Sequence, residues 1–252
     1  MLAVVVRAAR EAGEILRRGC AQEIKVDRAT PHDVKLEMDR RAEEAILRVL
    51  RTEYPDIPVL SEEAGRLGGR GELMWVIDPL DGTVNYSRRL PCWGTSIGLM
   101  RGEEEVLGVV YDPLRDEIFT AEKGKGARLN DAPLRVSAGG DLARAIIACG
   151  YSSVPVHIPR GMRAVERLGA QVSKFRNLGA AVLHLAYVAA GRLDGFFEFG
   201  LHPWDCAAGF CLVREAGGRV SSHRAPDGCL YVAVSNGALH PVLLRELEWD
   251  FA

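Results

Sequence analysis

Three acidic segments carry the residues whose types and spacing could do chemistry: LSEEAG at 60–65, WVIDPLDGT at 75–83 and PWDCAAG at 203–209. In the middle one an apolar run delivers Asp78 to the tip of a strand, Pro79 fixes a turn, and Asp81-Gly82-Thr83 follows at once as a helix start. Such a turn brings both carboxylates and the Leu80 carbonyl toward one point. A hard cation such as Mg²⁺ takes an octahedral set of oxygens and keeps several waters, which two or three carboxylates and a carbonyl can supply. The Gly82 and Thr83 N–H groups, at a helix N-terminus, are then placed to hold an anion. Taken singly, each segment also has a plainer reading. D-P-L-D-G describes a surface turn with an N-cap aspartate, Glu62 and Glu63 a solvated pair, and Asp205 the N-cap of the alanine-rich helix after it. An EF-hand is excluded, because the D-x-D-x-D-G spacing is absent.

The elements that must position these acids read as two halves. Leu2, Val5, Val6, Ala9, Ala12 and Leu16 recur at helical spacing, and a second helix runs from about Asp39 to Thr52 with a stripe of Ala42, Ala45, Ile46, Val49 and Leu50. Short β-rich runs follow at 57–61, 73–78, 95–100, 106–112 and 117–122, joined by turn-like connectors, which predicts a mostly antiparallel sheet. From about residue 140 the pattern alternates: a strand over 145–151, helices over 160–171 and 179–191, a strand over 195–199, a helix over 205–217, a strand over 231–235 and a helix over 239–248. The expectation is a first unit, 1–138, of a helix pair and sheet that carries most metal ligands, and an α/β unit, 139–252, that carries Asp205 and substrate contacts.

Composition limits the function classes. The 252 residues include 32 basic and 34 acidic side chains, a net charge of −2, and 48% are hydrophobic. Without a basic run, nucleic acid is not expected as the main partner. The six cysteines include no C-x-x-C pair, so a structural zinc site is not expected and free thiols in a reducing cytoplasm are. No signal segment or membrane anchor is visible.

In combination the segments are more specific. LSEE, WVIDPLDGTVNY and HPWDCAAGFCLVREAGG, in this order, resemble the signature segments of the inositol monophosphatase family, within the lithium-sensitive, magnesium-dependent sugar phosphatases. LPCWGTSIGL, the run RNLGAAVLHLAYVAAGRLDGFFEFGLHPWD and the early DVKLEMD also fall in the expected order. The resemblance implies a layered αβαβα sandwich of the inositol monophosphatase and fructose-1,6-bisphosphatase type, dimers, and two or three Mg²⁺ ions per site. It implies that Glu62, Asp78 and the Leu80 carbonyl bind one ion, that Asp78, Asp81 and Asp205 bind a second, and that Glu62 touches a weaker third. Thr83, hydrogen-bonded to Asp39, would orient the attacking water, and Gly82 and Thr83 would cradle the phosphate. Glu198, the backbone around Gly179 and Ala181, and Asp205 would meet the alcohol of a small phosphorylated polyol. The implied activity is in-line hydrolysis of inositol monophosphate. Fructose 1,6-bisphosphate, histidinol phosphate and 3′-phosphoadenosine 5′-phosphate are alternatives, since relatives with the same ligands hydrolyse each.

Departures from the family pattern lie away from the expected metal ligands. Arg28 stands near a frequent Lys, Ser61 replaces Gly, Val84 replaces a second Thr, Lys35-Leu36 replace V-T between Asp33 and Asp39, and Ala180 and His184 replace a small hydroxyl residue and Asp. A bisphosphate would need cations, for which Lys174, Arg176 and Arg192 are the candidates. Two other classes compete. Gly94-Thr95-Ser96-Ile97-Gly98 matches the G-x-S-x-G elbow of serine hydrolases, although it reads as strand interior. A mainly binding role is the other, because some bacterial relatives act on the transcription machinery. Gly124-Lys125-Gly126 reads as a hairpin turn and His202 as a structural histidine rather than a metal ligand.

Overall fold

A computed structural model describes residues 1–29 and 34–251. Asp33, the first acid of the DVKLEMD pattern, and the Arg28 side chain lie outside that description. Helix α1 (Leu2–Cys20) buries the predicted stripe of Val5, Ala9, Ala12 and Leu16. An antiparallel pair, β1 (Val26–Ala29) and β2 (Val34–Leu36), which the sequence pattern did not reveal, leads into helix α2 (Glu37–Glu53).

Strands β3 (Val59–Ser61), β4 (Gly65–Leu67) and β5 (Leu73–Asp81) begin the main sheet, and a one-turn helix α3 (Thr83–Ser87) follows β5 directly. Strands β6 (Gly94–Arg101), β7 (Glu104–Asp112), β8 (Glu117–Glu122), β9 (Gly126–Leu129) and β10 (Ala132–Pro133) complete it. The order across the sheet is β10-β9-β8-β7-β6-β5-β3-β4, with β3 and β5 parallel and the other pairs antiparallel.

The rest of the chain runs through β11 (Ile146–Cys149), α4 (Ile158–Gly169), β12 (Lys174–Arg176), α5 (Ala181–Ala189), β13 (Gly195–Leu201), α6 (Pro203–Glu215), β14 (Arg219–Arg224), β15 (Leu230–Ser235) and α7 (His240–Glu246). Its sheet has the order β12-β11-β13-β15-β14. Within it β11 pairs parallel with both β12 and β13, while β13 with β15 and β15 with β14 pair antiparallel. β14 escaped the sequence pattern because RVSSHR is an edge strand with no fully buried residue and little apolar alternation.

These elements stack as the expected five layers. α1 and α2 cover one face of the main sheet, α5 and α6 fill the space between the two sheets, and α4 and α7 cover the far face of the second. The central layer explains the apolar composition of α5 and α6: each is walled by a sheet on both sides, and Leu183, Leu185, Val188, Phe210, Leu212 and Val213 join one core with Phe196 and Val234. All six cysteines are free thiols, and no helix among the described residues is long and apolar enough to cross a membrane.

The approach of α6 to the main sheet is unusually close. Gly98 and Gly108 face each other across β6 and β7. A Cβ on Gly108 would lie 2.4 Å from the Ala208 carbonyl oxygen, and one on Gly98 would lie 2.8 Å from Ala207 Cβ. The two glycines form the seat on which the N-terminal half of α6, and with it Asp205, rests. Gly108→Ala should therefore destabilise the protein by about 2 kcal/mol or more, as overpacking against backbone does. Denaturant unfolding measures this, and a loss under about 0.5 kcal/mol would contradict so tight a seat.

Candidate active site

A cavity of about 750 Å³ opens where the C-terminal end of β5, the N-termini of α5 and α6 and the end of β13 converge. Glu62, Asp78, Leu80, Asp81 and Asp205 line it, and so do Gly82, Thr83, Gly179, Ala181 and Glu198. Of the expected site residues only Asp39 lies behind the wall, 2% exposed.

The middle segment differs in detail from the turn that Pro79 predicts. Strand β5 continues to Asp81, and the irregularity that reorients it is a bulge: Asp78 pairs with Ser96 and Asp81 with Gly94. Two side-chain contacts fix the bulge. Asp78 Oδ1 accepts from the Leu80 N–H at 3.0 Å, and Thr95 Oγ1 donates to the Pro79 carbonyl at 2.9 Å. Gly82 then turns the chain at φ 86°, and a Cβ there would lie 2.8 Å from the Cys92 carbonyl oxygen. A glycine is needed on both counts.

The other acids are held by helix N-termini. Asp205 is the third residue of α6, and its Oδ2 accepts from the His202 N–H at 2.7 Å. Asp81 Oδ2 accepts from the Val182 N–H at 2.7 Å, with further support from the N–H groups of Gly82 and Ala181. The Gly82 and Ala181 donors, expected to meet substrate, thus point at Asp81. The Gly179 N–H goes to Asn177 Oδ1 at 2.9 Å. Glu198, on β13, lies so close to Gly150 that a Cβ there would sit 1.6 Å from Glu198 Oε2.

One expected contact is absent. Thr83 Oγ1 donates to the Leu80 carbonyl at 3.0 Å rather than to Asp39. Asp39 instead closes the N-terminus of α2, accepting from the Leu36 N–H at 2.5 Å. The competing partner is local in each case: a carbonyl three residues back for the hydroxyl, a helix-end N–H for the carboxylate. Asp39 Oδ1 is left buried without a hydrogen bond among the described residues.

Electrostatically the cluster is strained. Asp78 and Asp205 are pushed well above the usual carboxylate range, by burial first and then by neighbouring acids: Glu62 and Asp81 for Asp78, Asp81 and Glu62 for Asp205. Asp81 is raised to about 7 by burial and by Glu62, against the pull of its N–H donors. Glu198 is raised to about 8 by burial and by the Asp81 charge, and Asp39 to about 8 by burial, Glu63 and Glu62. Mutual repulsion of this kind is what divalent cations relieve. The donor set fits them: oxygen only, mostly carboxylate, as Mg²⁺ prefers.

Two residues were not anticipated as part of the site. Lys35 pairs with both Glu62 and Glu63. Asn85 donates from Nδ2 to the carbonyls of Cys92 and Leu178, both at 2.7 Å, and so ties α3 to the loop before α5. An asparagine buried inside the DGTVNY motif was the available signal for the second. The decoys resolve as structure. Ser96 is buried mid-strand in β6 with its Oγ 3.5 Å from the Trp204 carbonyl, and the strand, turn and helix of an elbow are not there. His184 Nε2 accepts from the Leu178 N–H at 2.9 Å, its ring stacks on Phe196, and burial lowers its pKa to about 3, so it is neutral. The His202 ring stacks on Trp204. Lys174, Arg176 and Arg192 do not line the cavity, and Arg192 pairs with Glu117. Arg88 at the mouth does.

The raised carboxylates set the sign of a pH effect. Each holds its proton in the folded chain to a higher pH than in the unfolded one, so the folded state binds more protons between about pH 4 and 8 and stability falls across that window. In chelator the melting temperature should drop between about pH 5.5 and 8.5, and Asp81→Asn should raise it at the upper pH by at least about 3 °C. A flat profile in calorimetry, or no gain from the variant, would contradict the repulsion.

The comparisons with known proteins agree with this geometry. Inositol-1-monophosphatase of Mesorhizobium japonicum is 43% identical over an alignment of 259 positions that covers 98% of this chain and 96% of that protein. Nus factor SuhB of Escherichia coli K12 is 44% identical over 226 residues, 88% of this chain and 84% of that one. The crystal structure of extragenic suppressor protein suhB from Bartonella henselae superposes with a TM-score of 0.91 at 37% identity, over 99% of this chain and 98% of that one. The profile of the inositol monophosphatase family matches residues 1–248, and on that near-complete match the chain belongs to the inositol monophosphatase family.

Proposed function

We propose that the protein is a Mg²⁺-dependent phosphomonoesterase of a small polyol, with inositol monophosphate the leading substrate, and that it works as a cytoplasmic homodimer. The observation that carries the reading is the convergence of Glu62, Asp78, Asp81 and Asp205 on one cavity that Glu198 also lines. Glu62, Asp78 and the Leu80 carbonyl would hold one cation, and Asp78, Asp81 and Asp205 a second. Bound there, Mg²⁺ would lower the pKa of a coordinated water and bracket the phosphate with positive charge.

The chain's own groups do the positioning. Thr83 stands at the cavity with its hydroxyl proton on the Leu80 carbonyl, which leaves the oxygen lone pairs to orient a water. Its backbone N–H, the first of α3, would be a donor to the phosphate. Glu198 receives vicinal hydroxyls once its carboxylate is ionised, and the Asp81 charge that now opposes ionisation is the one a cation neutralises. Asp39 acts from behind, fixing the start of α2 beside β2. Arg88 is the one Lys or Arg among the described residues lining the cavity, which favours one phosphate over two and so the monophosphates over fructose 1,6-bisphosphate and 3′-phosphoadenosine 5′-phosphate.

The similar proteins named Nus factor favour a second reading, a Nus-factor role beside catalysis. Asp81→Asn separates the two, since it alters the cavity and leaves the outer surface as it is.

Phosphate release from inositol monophosphate, fructose 1,6-bisphosphate, histidinol phosphate and 3′-phosphoadenosine 5′-phosphate, each with Mg²⁺, with EDTA, and with Mg²⁺ plus Li⁺, tests the reading. Inositol monophosphate should turn over fastest, stop in EDTA and slow in Li⁺; release that survives EDTA would sink the metal chemistry. Asp81→Asn should lower turnover at least about a hundredfold. Thr83→Ala should lower kcat with little change in Mg²⁺ affinity, and the reverse pattern would remove it from water positioning. Glu198→Gln should raise KM for the inositol ester more than it lowers kcat; equal kinetics would move the substrate elsewhere.

A further inference from the structure

Among the described lysines and arginines, Lys35 is the one whose side chain pairs with an acid of the cavity cluster. Its Nζ lies 2.6 Å from Glu63 Oε1 and in still closer contact with Glu62 Oε1. The placement is built into the fold. Lys35 is the middle residue of β2, and the next residue, Leu36, is buried in the core under α1 and α2. Alternation along a strand then sends the Lys35 side chain to the opposite face, where the turn between β3 and β4 presents Glu62 and Glu63. Its side chain is 27% exposed, against 21% for Glu62 and 14% for Glu63, so the three groups are sheltered together. Burial alone would pull the ammonium toward neutrality, but the charges of Glu62 and Glu63 outweigh it and hold Lys35 protonated.

A count of charges gives this contact a meaning. Glu62 and Glu63 contribute −2 when ionised, and the Lys35 ammonium, in contact with both, offsets one of those charges where a further cation would otherwise be drawn. A third divalent ion on Glu62 would have to displace an ammonium that already uses that carboxylate and its neighbour. We propose that Lys35 is a resident cation that stands where a third divalent ion would bind Glu62, and so limits the site to two. This rests on the metal-dependent reading above and goes beyond it by fixing the number of ions and the residue that sets it. Lys35 acts through the carboxylates, as a positioning residue.

The test counts bound ions rather than turnover. Mn²⁺ is the probe, followed by electron paramagnetic resonance of the free ion and by calorimetry, on the parent, Lys35→Met and Lys35→Arg. The parent and Lys35→Arg should bind two ions per chain, and Lys35→Met should bind three. Lys35→Gln, which keeps a polar head at the same place, should behave as Lys35→Met and serves if the methionine variant loses its fold by circular dichroism. Two ions in Lys35→Met and Lys35→Gln, at affinities within about twofold of the parent, would overturn the proposal while the metal-dependent reading stands. Three ions in the parent would also overturn it. No ion bound to the parent would overturn both.

Discussion

Several carboxylates share one buried cavity, and nearly everything else in the molecule serves to hold them there against their own repulsion. Asp78, Asp81 and Asp205 are all pushed above the carboxylate range, with burial the largest cause and the neighbouring acids the next. A chain left to minimise its own energy would spread such groups over the surface. Here Asp81 and Asp205 are fixed by backbone N–H donors at the starts of α5 and α6, and Asp78 by the Leu80 N–H within the bulge of β5. Those donors lower the cost without removing it, which leaves a strong demand for cations and a site that is pre-shaped before any arrives.

The layering follows from the same constraint. The starts of α5 and α6 can meet the end of β5 only if both helices lie in the space between the two sheets, and that space accepts them because the contact surfaces are small: Gly98 and Gly108 under Ala207 and Ala208, and Gly209 against Leu185. Gly179 and Asn85 do a similar job at the entrance to α5, where the left-handed glycine lies against the amide that clamps Cys92 to Leu178. Packing of small residues and placement of acids are one design.

Much of this was legible in the sequence. Helices α1 and α2 showed their stripes, the long strands β5 to β8 showed their β-branched runs, and the three acidic segments named every acid that the cavity gathers except Glu198. The parts that escaped share a physical reason. β1, β2, β12 and β14 are short or edge strands whose pairing is decided by distant partners, and RVSSHR carries no apolar alternation to announce it. The strand that ends at Asp81 rather than Asp78 depends on Thr95 supporting Pro79 from the next strand. The Thr83 and Asp39 pairing implied by resemblance gave way to local partners, a preference that spacing does not encode. Lys35 was visible as a departure from the family pattern, but its contact with Glu62 and Glu63 needed the fold.

Burial and mutual repulsion favour the protonated forms of Asp78, Asp81, Asp205 and Glu198 without metal, and entering cations should ionise them. Calorimetric titration of Mg²⁺ into metal-free protein at about pH 7, repeated in two buffers of different ionisation enthalpy, measures this ionisation directly. About one proton or more per chain should be released on binding, and fewer in Asp81→Asn. Mg²⁺ binding whose heat is the same in both buffers, or no binding at all, would contradict it.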